Sequence, residues 1–102
     1  MAVTAVTPQQ AVNDIEDHIR KSGGLYSTWY CGVATDPVTR LFTDHGVRQN
    51  GDYWIYRQCA DDAAARRVEQ YFLAKGCKGA PGGGDTSSRH VYAYKITSHS
   101  RE

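Results

Sequence analysis

Trp29-Tyr30-Cys31-Gly32-Val33-Ala34-Thr35-Asp36-Pro37, with Arg40 just beyond, sets the frame for the chain. Leu25 to Val33 is rich in aromatic and β-branched residues and reads as a strand ending in the Gly32 region. Gly32 lacks a Cβ, so backbone or ligand can approach it closely. Asp36 followed by Pro37 is a helix start, a side-chain cap followed by a ring pre-set for the first turn. Arg40 then falls in the first turn or so and aims back at the strand end. The Tyr30 phenol and the Arg40 guanidinium converge on one spot, a pairing suited to phosphate.

Upstream, Thr7-Pro8-Gln9-Gln10 reads as a capping box, and Val12, Ile15 and Ile19 recur at helical spacing until Gly23-Gly24. Downstream, the Asp36 helix carries Val38, Leu41 and Phe42 on one face and stops at Gly46. Asn50-Gly51-Asp52 is a turn, and Tyr53 to Cys59 alternates as a strand, Tyr53 and Ile55 against Trp54 and Tyr56. Asp61 or Asp62 opens a third helix with Ala64, Ala65, Val68, Tyr71 and Phe72 as its apolar stripe, and Gly76 ends it. Cys77 to Ser88 is a glycine-rich loop, and His90 to Ile96 alternates Val91 and Ala93 against Tyr92 and Tyr94. The order α-β-α-β-α-β with short connections predicts an α+β fold, a small three-stranded mixed or antiparallel sheet flanked by three helices. Residues 1–102 form a single domain: an N-terminal helix over 7–22, a core over 24–96 and a polar, frayed tail over 97–102.

The 102 residues carry a net charge of +1, so no global field draws the chain to a polyanion, and such binding needs a local cluster. Three cysteines, Cys31, Cys59 and Cys77, without C-x-x-C spacing argue against a disulfide framework or a tetrahedral zinc site. Reduced, buried thiols in a cytoplasmic protein are the expectation. The first twelve residues lack a basic-plus-apolar leader and no apolar stretch approaches membrane length, so no membrane partner is expected.

Among chemistry-bearing residues, Glu69 lies beside the core edge of the third helix, flanked by Arg66 and Arg67. It is either an ordinary exposed helix glutamate or a half-buried carboxylate able to hold a divalent cation open to phosphate oxygens. His45 at the end of the second helix either offsets the helix dipole or accepts a proton near a phosphate. The Pro81-Gly82-Gly83-Gly84-Asp85 loop lacks the P-loop Lys-Ser or Lys-Thr and precedes a strand, which excludes nucleotide hydrolysis by that motif.

Tyr30-Cys31-Gly32 followed ten positions later by Arg40 resembles the GIY-YIG nuclease family over roughly residues 24 to 75. His45 resembles the histidine that follows the arginine in many members, and Glu69 falls where the family keeps its metal-binding glutamate. The resemblance implies divalent-metal-dependent cleavage of a DNA phosphodiester, with magnesium or manganese at Glu69. Tyr30 would activate or position the nucleophile, and Arg40 would offset charge on the phosphate. Gly24-Leu25-Tyr26 is similar to the first family motif, but only three residues separate Tyr26 from Tyr30, too few for a hairpin. Either Tyr26 shares the Tyr30 strand, or the C-terminal strand replaces the first one and Tyr92 or Tyr94 supplies the second phenol. No asparagine follows Glu69, and Asp85 is a weak substitute for the family's late asparagine. The alternative function is a catalytically inactive GIY-YIG-like module that binds nucleic acid or a protein partner through Arg57, Arg66, Arg67 and Lys75. In an unrelated fold, Arg40 and Glu69 would be structural and could pair with each other.

Overall fold

The computed structural model describes residues 5–79 and 87–102. Helix α1 spans Pro8–Lys21, capped by Thr7, whose hydroxyl accepts from the Gln10 amide at 3.1 Å. It ends at Ser22, and Gly23 and Gly24, with φ of 113° and 80°, carry the chain away in a backbone region that favours glycine. Helix α2 spans Asp62–Lys75, capped by the Asp61 carboxylate on the Ala64 amide at 2.8 Å and closed by left-handed Gly76.

Strand β1 is Trp29–Ala34, β2 is Trp54–Gln58 and β3 is His90–Lys95. All pairing is antiparallel in the order β1-β3-β2, so the last strand in sequence is the centre of the sheet. The register sets Tyr30 opposite Tyr94 and Gly32 opposite Tyr92 on one side, and Trp54 opposite Tyr94 and Tyr56 opposite Tyr92 on the other.

Alternation then sorts two cores. Trp29, Cys31, Val33, Ile55, Val91 and Ala93 pack under α1 and α2 with Ile15, Ile19, Val68 and Phe72. The opposite face carries Tyr30, Ala34, Tyr92 and Tyr94 under Leu41 and Val47, with Phe42, Trp54 and Tyr56 at its margin. Cys31, Cys59 and Cys77 are free and buried, as expected, and burial pushes the Cys77 thiol up to about 11.

Four expectations change. The second helix is a π-helical turn over Thr39–Asp44, closed by the His45 amide on the Arg40 carbonyl at 2.9 Å, so two α-helices and one wide turn flank the sheet. Val38, just ahead of this turn, is 47% exposed and leaves the apolar face expected for it, while Leu41 stays in the core. Asp36 caps the turn as read, accepting from the Thr39 amide at 3.2 Å and the Thr39 hydroxyl at 2.8 Å. Residues 26–28 form a 3₁₀ turn rather than strand, because the amide and hydroxyl of Thr28 both bond back to the Leu25 carbonyl.

The tail is not frayed. Thr97 and Ser100 close a turn on each other, His99 pairs with Asp52 at 2.5 Å, and the Arg101 guanidinium donates to the Thr43 carbonyl at 3.2 Å. The Pro81–Asp85 loop lies outside the described residues.

Candidate functional site

The antiparallel seam between β1 and β3 gathers the aromatic groups. Tyr30 stacks at 5.3 Å from Tyr94 and 6.3 Å from Tyr92, ring centroid to centroid, each pair tilted by 20°. Gly32 makes this possible, since a Cβ there would stand 2.6 Å from the Tyr92 hydroxyl oxygen. The space beside Gly32 therefore holds a phenol of this chain, not a ligand.

His45, delivered by the end of the π-helical turn, lies over the seam with its ring 4.7 Å from that of Tyr30. Its Nδ1 faces the Arg101 carbonyl oxygen at 2.5 Å, and a carbonyl only accepts, so Nδ1 carries the proton. Nε2 is then the acceptor for the Tyr92 hydroxyl at 2.8 Å. The Tyr94 hydroxyl donates to the same Arg101 carbonyl at 3.1 Å. Burial holds the imidazole below its ordinary range, partly offset by the Arg101 carbonyl, and Arg40 pushes the same way as burial. Burial raises the Tyr92 and Tyr94 phenols far above theirs.

Arg40 is the solvent-facing member of the group, its side chain 47% exposed, paired loosely with Asp44 at 3.6 Å. It borders a cavity of about 250 Å³ with Thr35, Asp36, Thr39 and Ser88. The Arg40–Glu69 pair of the unrelated-fold reading does not form.

Glu69 projects from α2 and is 3% exposed. The chain leaving α2 runs back along the free edge of β1, where Lys78 exchanges backbone hydrogen bonds with Trp29 and Cys31, and this ties the helix to the Tyr30 strand. Among the described residues the Glu69 carboxylate makes no hydrogen bond or ion pair. Burial raises its carboxyl, and Arg66 opposes the shift.

Tyr30 feels both charges. Burial raises its phenol first, Glu69 raises it further and Arg40 lowers it. One buried hydroxyl, itself without a hydrogen bond among the described residues, thus lies within the field of a carboxylate and a guanidinium. The guanidinium and the carboxylate act from opposite faces, however: Arg40 comes with the π-helical turn over Tyr30, whereas α2, which carries Glu69, packs on the other side of the sheet, and no hydrogen bond or ion pair joins the three among the described residues. Glu69 offers a single carboxylate, the minimum with which magnesium is held when water and phosphate oxygens complete its shell. No group of three or more metal-ligating side chains occurs among the described residues.

Tyr26 is not brought to this group. It lies with the other core, its ring 6.3 Å from Phe72 and its hydroxyl on Glu16 at 3.2 Å, where Tyr71 also donates at 3.0 Å. Arg66 stays on α2 beside Glu69, 3.8 Å from Asp62, and Arg57 pairs with Asp14 at 2.9 Å. Lys75 sits over the Tyr71 ring at 5.4 Å. The candidate basic patch is therefore largely committed within the chain. The participant missed in the sequence is the Arg101 main chain, which is invisible to any reading of side chains; Thr97-x-x-Ser100 was its one signal, a local hydroxyl turn.

No family model, no curated protein and no solved structure matches the chain. No helix among the described residues is long and apolar enough to cross a membrane.

Proposed function

We propose that this protein is a metal-dependent endonuclease of GIY-YIG type, cleaving DNA phosphodiesters, in which β3 stands in for the family's first strand. The observation that carries the reading is the β1–β3 register: Tyr30 opposite Tyr94 and Gly32 opposite Tyr92, with Arg40 and Glu69 both acting on Tyr30. The Tyr-x-Tyr strand comes last in the chain and lies beside the Tyr-x-Gly strand in space. Tyr92 or Tyr94 is then the phenol that Tyr26 does not supply.

Arg40 binds the phosphate and offsets the charge that develops in the transition state. Tyr30 orients the attacking water through its free hydroxyl, and His45 holds Tyr92 in place as its hydrogen-bond acceptor. Glu69 would hold the cation, magnesium or manganese, which supplies Lewis-acid polarisation of the phosphate when bound. Tyr30, His45 and Glu69 are 8%, 6% and 3% exposed, so the substrate engages first at Arg40 and its cavity, and the phenols must be uncovered for cleavage. The same burial favours the second reading, a non-cleaving module of this fold that binds nucleic acid at the open Arg40 side.

Incubation with supercoiled and linear DNA in magnesium or manganese, beside Glu69→Ala, separates the two. Cleavage lost in the variant supports the nuclease. Folded wild-type protein that retains DNA without cutting it supports the module.

A further inference from the structure

We propose that the groove along the outer side of β2 binds an unpaired nucleobase, stacked on Trp54 and Tyr56. The inference rests on the nucleic-acid reading above and extends it to how the substrate is held.

The groove encloses about 950 Å³, within the range of small-ligand pockets. Its floor is β2. Trp54 and Tyr56 project there from one sheet face with centroids 6.1 Å apart and planes within 11° of parallel. Phe42 meets Trp54 edge-on at 5.0 Å and His90 meets Tyr56 edge-on at 6.3 Å, which fixes both rings upright. The two rings stay half-buried at the margin of the second core, which the π-helical turn reaches through Phe42 against Trp54. Pro37 and the outward-turned Val38 form one wall and His18 the other.

The occupant follows from what the groove has already satisfied. An added peptide strand would need the outward carbonyls of β2. Those of Tyr56 and Gln58 are taken, by Arg57 Nη1 and by the Val6 amide, each at 2.8 Å. A phosphate would need a free cation, yet Arg57 is spent on Asp14 and Asp36 lines the wall. A neutral planar ring fits both constraints, since every base offers a π-face.

The groove also adjoins the phosphate side of the site. It shares Thr35 and Asp36 with the cavity of Arg40, so a base in the groove leaves its own or the next phosphate at the guanidinium.

Trp54 reports occupancy directly. The only other tryptophan, Trp29, is fully buried and gives a constant background. Metal-free wild-type protein titrated with a short oligodeoxythymidine should show saturable quenching of Trp54. An oligomer of the same length built of abasic sugars should not quench. Tyr56→Leu should weaken binding by roughly 5- to 150-fold, the worth of one stacked base, while Tyr56→Phe keeps the ring and the affinity.

Absence of quenching, equal quenching by the abasic oligomer, or unchanged affinity in a folded Tyr56→Leu protein overturns the proposal. Saturable quenching by an extended peptide in place of the oligomer overturns it too. Binding here without DNA cleavage leaves the groove standing and refutes the nuclease. Cleavage without quenching does the reverse.

Discussion

Replacing Glu69 by methionine should make the protein more stable and inactive at once. A structural carboxylate would hold α2 through a hydrogen bond or an ion pair, and this one has neither among the described residues while only 3% exposed. Leaving a fully buried polar group unpartnered costs about 1–3 kcal/mol, and Glu69, whose oxygens are not among the fully buried unpartnered atoms of the described residues, falls at the low end of that range. Methionine nearly matches glutamate in volume and bends to fit irregular space, so repacking recovers most of that penalty. The net expectation is a gain of up to about 1 kcal/mol, with a rise in Tm of about 4–8 °C for each kcal/mol in a domain this size. Cleavage should fall by about 10²–10³-fold or more, the scale of losing one preorganised charge at a reacting centre.

The pH dependence sharpens the test. A folded-state carboxyl raised by burial binds its proton more tightly than the unfolded chain does. Its contribution to stability is therefore complete below the ordinary value of 4.5 and is lost as pH climbs through the raised value. Chemical denaturation across that window should show a downward slope for the wild type that Glu69→Met removes. A variant destabilised by more than about 1 kcal/mol, with the slope unchanged, would refute the reasoning. Glu69 would then be holding the fold together.

Arg40→Ala should abolish cleavage and change stability by less than about 0.5 kcal/mol, because its pair with Asp44 is half-exposed and one turn apart; thermal unfolding and a cleavage assay read the two effects. Gly32→Ala should destabilise the domain by about 1–3 kcal/mol, since the added methyl meets the Tyr92 phenol ring at 2.6–3.1 Å, and should shift the His45 and Tyr92 signals in NMR spectra. His45 is held neutral with a depressed folded value, so stability is full above the ordinary imidazole value of 6.5 and is lost as pH falls below it. His18 is depressed by burial as well and contributes in the same sense, so His45→Gln should reduce the acid-side slope without removing it.

Local chemistry was the legible part of this sequence. Thr7, Asp36 and Asp61 cap where they were read, and Gly76 ends α2, because each decision involves a few neighbouring backbone groups. The alternation of β2 and β3 appears in which face each residue takes, Ile55, Val91 and Ala93 in one core and Trp54, Tyr56, Tyr92 and Tyr94 with the other; burial itself does not alternate, because both faces of β3 are covered. The π-helical winding was not legible: it depends on how Leu41 and His45 settle on the Tyr30–Tyr94 seam, a tertiary matter. Order in the tail likewise comes from distant partners: the Arg101 carbonyl and guanidinium meet His45 and Thr43, 56 and 58 residues away, and His99 meets Asp52, 47 residues away, and only folding brings them together. At the candidate site, Tyr30 and Arg40 could be named from their spacing, and Glu69 from its helix position and the family resemblance. Choosing between Tyr26 and the β3 tyrosines required the strand order.

That strand order decides more than a register. β1 and β2 share no pairing with each other, so every ladder bond of the sheet runs to β3. The strand that completes the fold is thus the strand that brings Tyr92 and Tyr94 beside Tyr30, and site and sheet form in one step. Val91, Tyr92, Ala93 and Tyr94 are all nearly or fully buried, and burying each large side chain contributes about 1.5–3 kcal/mol, a large share of the 5–15 kcal/mol that holds a typical domain. The phenols of the candidate site consequently belong to the most protected part of the molecule. Arg40 and the Trp54–Tyr56 groove sit at its margins, where the covering turn ends and solvent begins. In the proposed nuclease, substrate contact at the margin and chemistry at the seam would be separate events. The free energy that uncovers Tyr30 and Glu69 would then have to come from DNA bound at Arg40 and β2.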